Sequence, residues 1–356
     1  MTEQLISRRQ VLSGLGAAAI TGLAGCSSGG SEENSDTLQA AWVYNTDIGD
    51  LGWTYAHDLA RQHIEEEFDW VRTEYSESVA PADAERTFQQ YTNDDYDMIY
   101  GCTFDYMDPM LSVAEGSPDT TYEHCAGYQT SENMGRYFGR VYQPRYLSGV
   151  AAARMTETNT LGFVGAYPIT QVIRGINAFA LGAFSVNPDI DIEIQYVNSW
   201  YDQPAEQQAA EALIDQGADV ITQHQDSPSP VQAANDADVW SIGFNAPMGE
   251  YGGEKYITSP IWEWGTFYED SLQSLREDSW SPDFDWGGLQ EGYVALDDFG
   301  DNVPDDVVAE VEDIRSEIVD GERTVWDGSQ FEDADETLLF QDMETYVDGI
   351  DSSVPE

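Results

Sequence analysis

Lysine is almost absent from this sequence, and basic residues of any kind are scarce. Lys255 is the one lysine, and 14 basic residues stand against 67 acidic ones, which gives a formal net charge of −53. Such a charge repels a phosphate backbone, whose binding normally depends on lysine and arginine, so we exclude nucleic acid as a partner. The carboxylate-rich surface is typical of a halophilic protein. At molar salt the Debye length is only ~3 Å, so a ligand site has to work by direct contact.

Catalytic signatures are also missing. The sequence has no GxSxG, SxxK, HExxH, CxxC or Walker pattern. Its four histidines, His57, His63, His124 and His224, are scattered, and the first two are six residues apart on one predicted helix, which places them on different faces. The sequence therefore predicts no catalytic residue, no metal and no cofactor, and it favours a binding protein over an enzyme.

Cysteine is rare, with three in the whole chain. Cys102 and Cys125 each close a predicted strand, which would make them neighbours at one sheet edge. A disulfide formed outside the cell and two buried free thiols both fit this pattern, so the sequence leaves the pairing open.

Long hydrophobic runs are absent as well, but the first 25 residues form a targeting segment. Ser7 to Leu12 (SRRQVL) has the twin-arginine pattern, an apolar stretch follows it, and Leu23 to Cys26 (LAGC) resembles a lipobox. We expect export, removal of residues 1–25, and a lipid on Cys26 that anchors the protein at the extracellular face of the cell membrane. Residues 26–37, rich in serine, glycine and acid, predict a flexible tether.

The mature chain alternates short β-rich runs with helical patterns, which is typical of βαβ units and parallel sheets. Two successive series of four strands are predicted, at residues 38–45, 70–77, 97–103 and 121–126, and then at 160–167, 190–199, 219–225 and 239–244. Asp202 with Pro204 predicts the start of a helix and Gly217 its end. The sequence therefore predicts an α/β fold with two doubly wound parallel-sheet lobes.

Strand and helix patterns continue after the second series, which predicts that the chain crosses between the lobes three times at a hinge of several strands. We expect a first lobe from residues 38–158 and 256–278, and a second lobe from residues 159–255 and 279–330. Residues 331–356 predict an acidic C-terminal helix or tail.

Aromatic and polar side chains follow several predicted strands, at the edge where open α/β sheets bind ligands. Trp53 and Trp200 would come from different lobes and could clamp a flat heterocycle, each stack adding about 0.5 to 1.5 kcal/mol beyond the burial of area. Either ring is also compatible with a core position. The other candidates for ligand binding, which would supply further rings and polar groups, are Tyr44, Asn45, Phe104, Asp105, Gln223 and Asn245.

Five long motifs cover nearly the whole mature chain: GDLGWTYAHDLARQHIEE (49–66), the stretch from FDYMDPM to GVAAARMT (104–156), VIRGINAFALGAFSVNPD (172–189), NSWYDQPAEQQAAEALIDQGADVITQHQDSP (198–228) and SPIWEWGTFY (259–268). The chain resembles the basic membrane protein family of solute-binding lipoproteins. This resemblance implies a type I periplasmic-binding fold, no catalysis, and a monomer that delivers a purine base or nucleoside to the permease and ATPase subunits of an ABC importer. In that family two aromatic rings sandwich the purine, at the positions of Trp53 and Trp200.

The chain departs from the nucleoside-binding members at two places. They carry an SFN-type motif where this chain has Gly52 and Trp53, and an aspartate that holds ribose hydroxyls where this chain reads FNAPM (244–248). The resemblance therefore ranks an adenine-like purine base ahead of a nucleoside.

Three other functions stay open. A nucleoside-processing enzyme would also stack purines, with Asp105 or Asp226 as its general acid or base. A sensory lipoprotein would hand its ligand to a kinase instead of a permease. A pentose would also stack on tryptophan.

Overall fold

The computed structural model describes residues 37–355, so the targeting segment and Cys26 lie outside the described residues. In chain order, the strands are β1 (Leu38–Val43), β2 (Val71–Ser76), β3 (Met98–Gly101), β4 (Thr121–Cys125), β5 (Met134–Gly139), β6 (Thr160–Gly165), β7 (Asp191–Tyr196), β8 (Val220–His224), β9 (Trp240–Ile242), β10 (Tyr256–Thr258), β11 (Pro260–Trp262), β12 (Phe284–Gly287) and β13 (Val294–Leu296). The α-helices are α1 (Trp53–Glu67), α2 (Pro81–Asn93), α3 (Met107–Gly116), α4 (Tyr142–Met155), α5 (Thr170–Val186), α6 (Gln203–Asp215), α7 (Ser229–Asp236), α8 (Gly249–Gly252), α9 (Trp264–Arg276) and α10 (Asp305–Val319).

The first sheet is parallel throughout and has the order β12-β5-β4-β3-β1-β2. Strand β1, which lies between β3 and the edge strand β2, packs against helices on both faces of the sheet, because successive side chains point to opposite sides. Trp42 packs in the core that α1 and α9 complete, whereas Ala41 and Val43 pack in the core formed with α2 and α3. This sheet and its helices form the first lobe.

The second sheet, also parallel, has the order β10-β9-β8-β6-β7 and forms the second lobe. Helices α4 and α5 pack unusually closely, because a Cβ at Gly149 would lie 2.0 Å from the Phe179 carbonyl oxygen, and one at Gly182 would lie 2.0 Å from that of Tyr146. Glycine at both positions lets the two backbones touch.

The two lobes are joined through a small antiparallel pair, β11 with β13. The chain leaves the first sheet after β5, returns after β10 and leaves again after β12 for α10, which packs on α4. The lobe boundaries differ from the expected ones at two strands. β10 belongs to the second sheet, although the sequence predicts residues 256–278 in the first lobe. β12 pairs with β5 in the first sheet, although the sequence predicts residues 279–330 in the second lobe.

The eight predicted strands are all present, with ends shifted by up to three residues. The predicted helix start is present too, since Asp202 Oδ1 accepts a hydrogen bond of 3.1 Å from the Ala205 amide of α6. The sequence pattern did not predict strands β5 and β12. β12 has only four residues, and β5 follows β4 without the helix that a βαβ rhythm leads one to expect.

The end of the chain forms no regular α-helix within residues 331–355, which corrects the expected terminal helix. It contains one wide helical turn at Leu338–Asp342. In this C-terminal segment the backbone carbonyls of Leu339, Gln341 and Thr345 accept hydrogen bonds from side chains of α5.

Cys102 and Cys125 lie at the ends of the neighbouring strands β3 and β4, as expected, and both are buried free thiols. Burial raises the pKa of the Cys102 thiol to about 12, so it stays protonated. Of the two alternatives that the sequence left open, the structure shows the unbridged one.

Candidate functional site

A cavity of about 640 Å³ lies where the carboxyl ends of the strands of both sheets meet. Residues of both lobes and the end of the chain line it. Six of the eight predicted ligand-binding residues are among them, namely Asn45, Trp53, Phe104, Asp105, Trp200 and Asn245.

Tyr44 and Gln223 do not line the cavity, which corrects two of the predicted positions. The Tyr44 side chain is buried and its hydroxyl lies 3.4 Å from Asp58 Oδ1. Gln223 is buried as well, with its amide nitrogen 3.0 Å from the Met248 sulfur. Because neighbouring strand residues point in opposite directions, the next residue in each case, Asn45 or His224, faces the cavity instead.

Trp53 begins helix α1 and is half-buried in the first lobe. Its indole nitrogen donates a 2.7 Å hydrogen bond to the Cys102 carbonyl, which fixes the ring. The ring meets Trp262 edge to face, with centroids 5.3 Å apart and an interplanar angle of 88°. Trp53 therefore lines the cavity as part of a larger aromatic cluster and not as an isolated ring.

Trp262, on β11, is a cavity-lining residue that the sequence analysis did not select. Its ring stacks on Trp264 at 4.8 Å, and Trp264 stacks on His57 at the same distance. Burial lowers the pKa of His57 to about 3, so this imidazole is neutral and serves as a flat packing group. The signal was present in the sequence as the IWEW motif, but β11 was not recognised as a hinge strand that faces the cleft.

In the second lobe, Trp200 is 37% exposed and lines the cavity beside Tyr167, with ring centroids 5.3 Å apart. The centroid of the His224 ring lies 6.1 Å from the centroid of the Trp200 ring. Burial lowers the pKa of His224 well below its ordinary value, and the nearby cations Arg145 and Arg174 lower it further. His224 is therefore a neutral hydrogen-bonding group at the cavity.

Asp226 connects the two lobes. Its Oδ1 accepts hydrogen bonds from the Trp53 amide, at the start of α1, at 3.1 Å and from the Asn245 side chain at 2.7 Å. Asn245 Oδ1 in turn accepts 2.8 Å from the Trp262 indole nitrogen. Gly52, just before α1, has no side chain to cap the helix, so a carboxylate from the opposite lobe supplies the cap.

The closeness of this contact explains why glycine precedes Trp53. Gly52 has φ +96°, which favours glycine, and a Cβ there would lie 2.8 Å from the Asp226 carbonyl oxygen and 2.9 Å from the Asp226 Cβ. The two lobes thus touch backbone to backbone at this point. Burial raises the pKa of Asp226 to about 7, partly offset by its hydrogen bond from the Trp53 amide.

Three cavity-lining side chains have a buried polar atom without a partner in the described residues, namely Asn45 Oδ1, Arg174 Nε and His224 Nδ1. Buried polar atoms normally have a hydrogen-bond partner, so these three side chains are candidates for contacts with a bound ligand. By contrast, both side-chain atoms of Asn245 are used within the protein. Asn245 lines the cavity but is engaged in holding the lobes together.

Residues 37–355 contain no group of three or more histidine, cysteine or acidic side chains arranged to hold a metal ion. No helix in the same range has the length and apolar character needed to cross a bilayer. The site accordingly consists of aromatic rings, neutral hydrogen-bonding groups and a few charged side chains.

Comparisons with known proteins agree with this architecture. A Haloferax volcanii protein, TsgA13, whose name assigns it provisionally to glucose binding in an ABC transporter, is 49% identical over 99% of both chains. A purine-binding protein of Brucella abortus is 38% identical over 95% of this chain and 99% of its own. Among solved structures, a solute-binding protein of an ABC transporter from Conexibacter woesei is 24% identical with a TM-score of 0.69, over 81% of this chain and 98% of that one.

The profile of the Bmp family, described as PnrA-like substrate-binding proteins of ABC transporters, matches residues 37–327. That range includes both sheets and all the cavity-lining residues except those at the end of the chain. The chain belongs to the Bmp family of ABC transporter substrate-binding proteins.

Proposed function

We propose that this protein binds a purine base, adenine-like in the first instance, between its two lobes and delivers it to the permease of an ABC importer. The observation that carries the proposal is the cavity itself, which Trp53 of the first lobe and Trp200 of the second both line. Rings from two lobes can sandwich a flat heterocycle, while Asn45 and His224 offer polar atoms to its edge.

Closure of the cleft would couple ligand binding to delivery. The ligand would stack on one lobe first, and contacts with the other lobe would then favour the closed state. The hydrogen bond from the Trp53 amide to Asp226 can form only when the lobes meet. It therefore adds to the stability of the closed, ligand-bound form that a permease would recognise.

A free base fits the site better than a nucleoside. The family resemblance implies a ribose-binding aspartate in the segment after β9 of nucleoside-binding members, where this chain reads FNAPM (244–248). Asn245 in that segment is saturated by Asp226 and Trp262. No carboxylate at that position is available for two ribose hydroxyls. Adenosine should consequently bind more weakly than adenine.

Glucose is the second candidate ligand, and the name of the 49% identical Haloferax protein favours it. Sugars also stack on tryptophan and pair their hydroxyls with carboxylates such as Asp105 and Asp226, which line the cavity. Mass spectrometry of the small molecule released from denatured, natively purified protein distinguishes the candidates. A purine base supports the proposal, and a hexose or pentose refutes it.

Export and anchoring complete the proposal. A lipid on Cys26 would hold the protein at the extracellular face of the membrane. Because a single acyl chain anchors only marginally, a second acyl chain or docking to the permease would contribute. Mass spectrometry of the mature N-terminus tests this, since a diacylglyceryl group on Cys26 is expected and an unmodified cysteine would contradict it. The gene neighbourhood separates an importer, with permease and ATPase genes, from a sensory protein with a kinase gene.

The protein would bind its ligand without changing it. Asp226, with its pKa raised to about 7, is the residue best placed to act as a general acid or base, but its Oδ1 is committed to the other lobe. Incubation with adenosine and inosine tests this point. Release of free base would show that the protein is an enzyme.

A further inference from the structure

The last part of the chain contributes to the cavity in a way that neither the family profile nor the motifs indicate. We call residues 335–347 the C-terminal wall. This segment lies beyond residues 37–327, the range that the profile matches. Nevertheless Phe340, Gln341 and Asp342 line the same cavity as the two tryptophans.

Helix α5 of the second lobe holds the wall by its backbone. Arg174 Nη1 donates hydrogen bonds to the carbonyls of Leu339 at 2.6 Å and Phe340 at 3.3 Å. One turn earlier, Thr170 Oγ1 donates 2.8 Å to the Gln341 carbonyl. Asn177 Nδ2 donates 2.9 Å to the carbonyl of residue 345, so three side chains of one helix fix the path of the wall.

Arg174 explains why the wall stays in place. Its side chain is 1% exposed, and within residues 37–355 no carboxylate forms a salt bridge with it. A buried cation without hydrogen-bond partners is very costly, and the carbonyls of Leu339 and Phe340 supply partners. The arginine and the wall therefore stabilise each other.

The side chain of Phe340 reaches the first lobe. Its ring packs against Phe284 and Trp286 of strand β12, with centroids 4.7 Å and 5.1 Å away, and against Phe138 of β5 at 5.8 Å. The wall is thus anchored to the second lobe by hydrogen bonds and to the first by an aromatic contact. It closes the cavity on the side of the edge strand β12.

We propose that Phe340 is a specificity-determining residue that limits the size of the ligand, and that Arg174 is its positioning residue. The identity of the ligand rests on the proposed function, whereas the presence of the wall does not. Because Phe340 lines the cavity and its ring is packed against both β5 and β12, it would restrict the space for the ligand on that side. This places the discrimination between a free base and its nucleoside partly in the C-terminal wall.

The test compares Phe340→Ala with Leu338→Ala, a control in the same turn whose side chain does not line the cavity. Calorimetric titrations at molar salt give the ratio of the dissociation constants for adenosine and adenine. We expect Phe340→Ala to shift this ratio about tenfold in favour of adenosine, the scale of small groups added to or removed from a pocket. An unchanged ratio in Phe340→Ala, or an equal shift in Leu338→Ala, overturns the proposal.

The same variants separate this inference from the proposed function. If the wild-type protein binds D-glucose and no purine, the purine assignment fails. The test then uses the ratio of the dissociation constants for maltose and D-glucose in place of that for adenosine and adenine. Phe340→Ala should then shift affinity about tenfold toward the larger sugar. If Phe340→Ala leaves the ratio of the dissociation constants for maltose and D-glucose unchanged, the C-terminal wall does not limit the size of the ligand.

A ligand-independent measurement tests the positioning role of Arg174. The variant Arg174→Lys keeps the charge but cannot reproduce the geometry of the guanidinium. Hydrogen exchange followed by mass spectrometry should show faster exchange in residues 335–347 of this variant and unchanged exchange in the strands of both sheets. Equal exchange in the wall of variant and wild type would contradict the positioning role.

Discussion

The substitution Gly52→Ala tests whether the lobes close at the contact between Gly52 and Asp226. An alanine Cβ at this position would lie 2.8 Å from the Asp226 carbonyl oxygen, closer than packed atoms normally approach. The obstructing atoms belong to the opposite lobe, so the overlap arises only on closure. Overpacking of this kind typically costs about 1 to 3 kcal/mol, which corresponds to a dissociation constant raised about 5- to 150-fold.

Backbone strain has to be separated from the overlap, because Gly52 also has φ +96°. That strain is present in both the open and the closed form, so it lowers the free energy of unfolding more than the affinity for the ligand. Gly49→Ala is the matched control. Gly49 also has a positive φ, +62°, but the atom nearest to an added Cβ there is 3.9 Å away.

Calorimetric titrations of both variants with the copurifying ligand, in molar potassium chloride, give the affinities. Small-angle scattering with and without ligand reports closure. We expect Gly52→Ala to bind weakly and to stay more open at saturation, while Gly49→Ala binds within about twofold of wild type. Equal affinity of the two variants would refute the account of closure.

Three further predictions concern single side chains of the site, measured by titration with the same ligand. Trp53→Ala and Trp200→Ala should each weaken binding by about 1 to 3 kcal/mol, the scale for aromatic rings that stack on bases, and an unchanged constant removes that ring from the site. Tyr44→Phe should leave affinity within about twofold of wild type, because Tyr44 does not line the cavity, and a larger loss would return it to the site. Burial raises the pKa of Asp226 to about 7 in the closed form, while the open form should titrate near the ordinary value, so the closed form holds the proton more tightly. Affinity should therefore fall as pH rises from about 4 to about 7 and level off above, and Asp226→Asn should abolish this slope; a slope that persists in the variant would assign it to another group.

Most of the fold was predictable because the strands of the two lobes carry regular hydrophobic runs. For helix α6 the sequence also shows the N-cap, Asp202, which accepts a hydrogen bond from the Ala205 amide. The strands that the sequence did not predict lie where the chain has no clear hydrophobic run or helix cap. β12, with the sequence FDWG, joins the first sheet only because β5 offers it an open edge, and a local pattern does not show this.

The site was predictable to the level of strand ends but not of individual side chains. Tyr44 and Gln223 are each one residue from a side chain that does line the cavity, because a strand pattern does not reveal which face is the cleft. The sequence indicated neither the role of Asp226 as a cap for a helix of the other lobe nor the place of Phe340 in the cavity. Both depend on contacts between residues more than 150 positions apart.

Direct titration of the wild-type protein with adenine, adenosine and D-glucose, in molar potassium chloride, tests the central claim most directly. We expect adenine to bind most tightly, adenosine to bind more weakly, and D-glucose to release no measurable heat of binding. Tight binding of D-glucose without a response to either purine would contradict it.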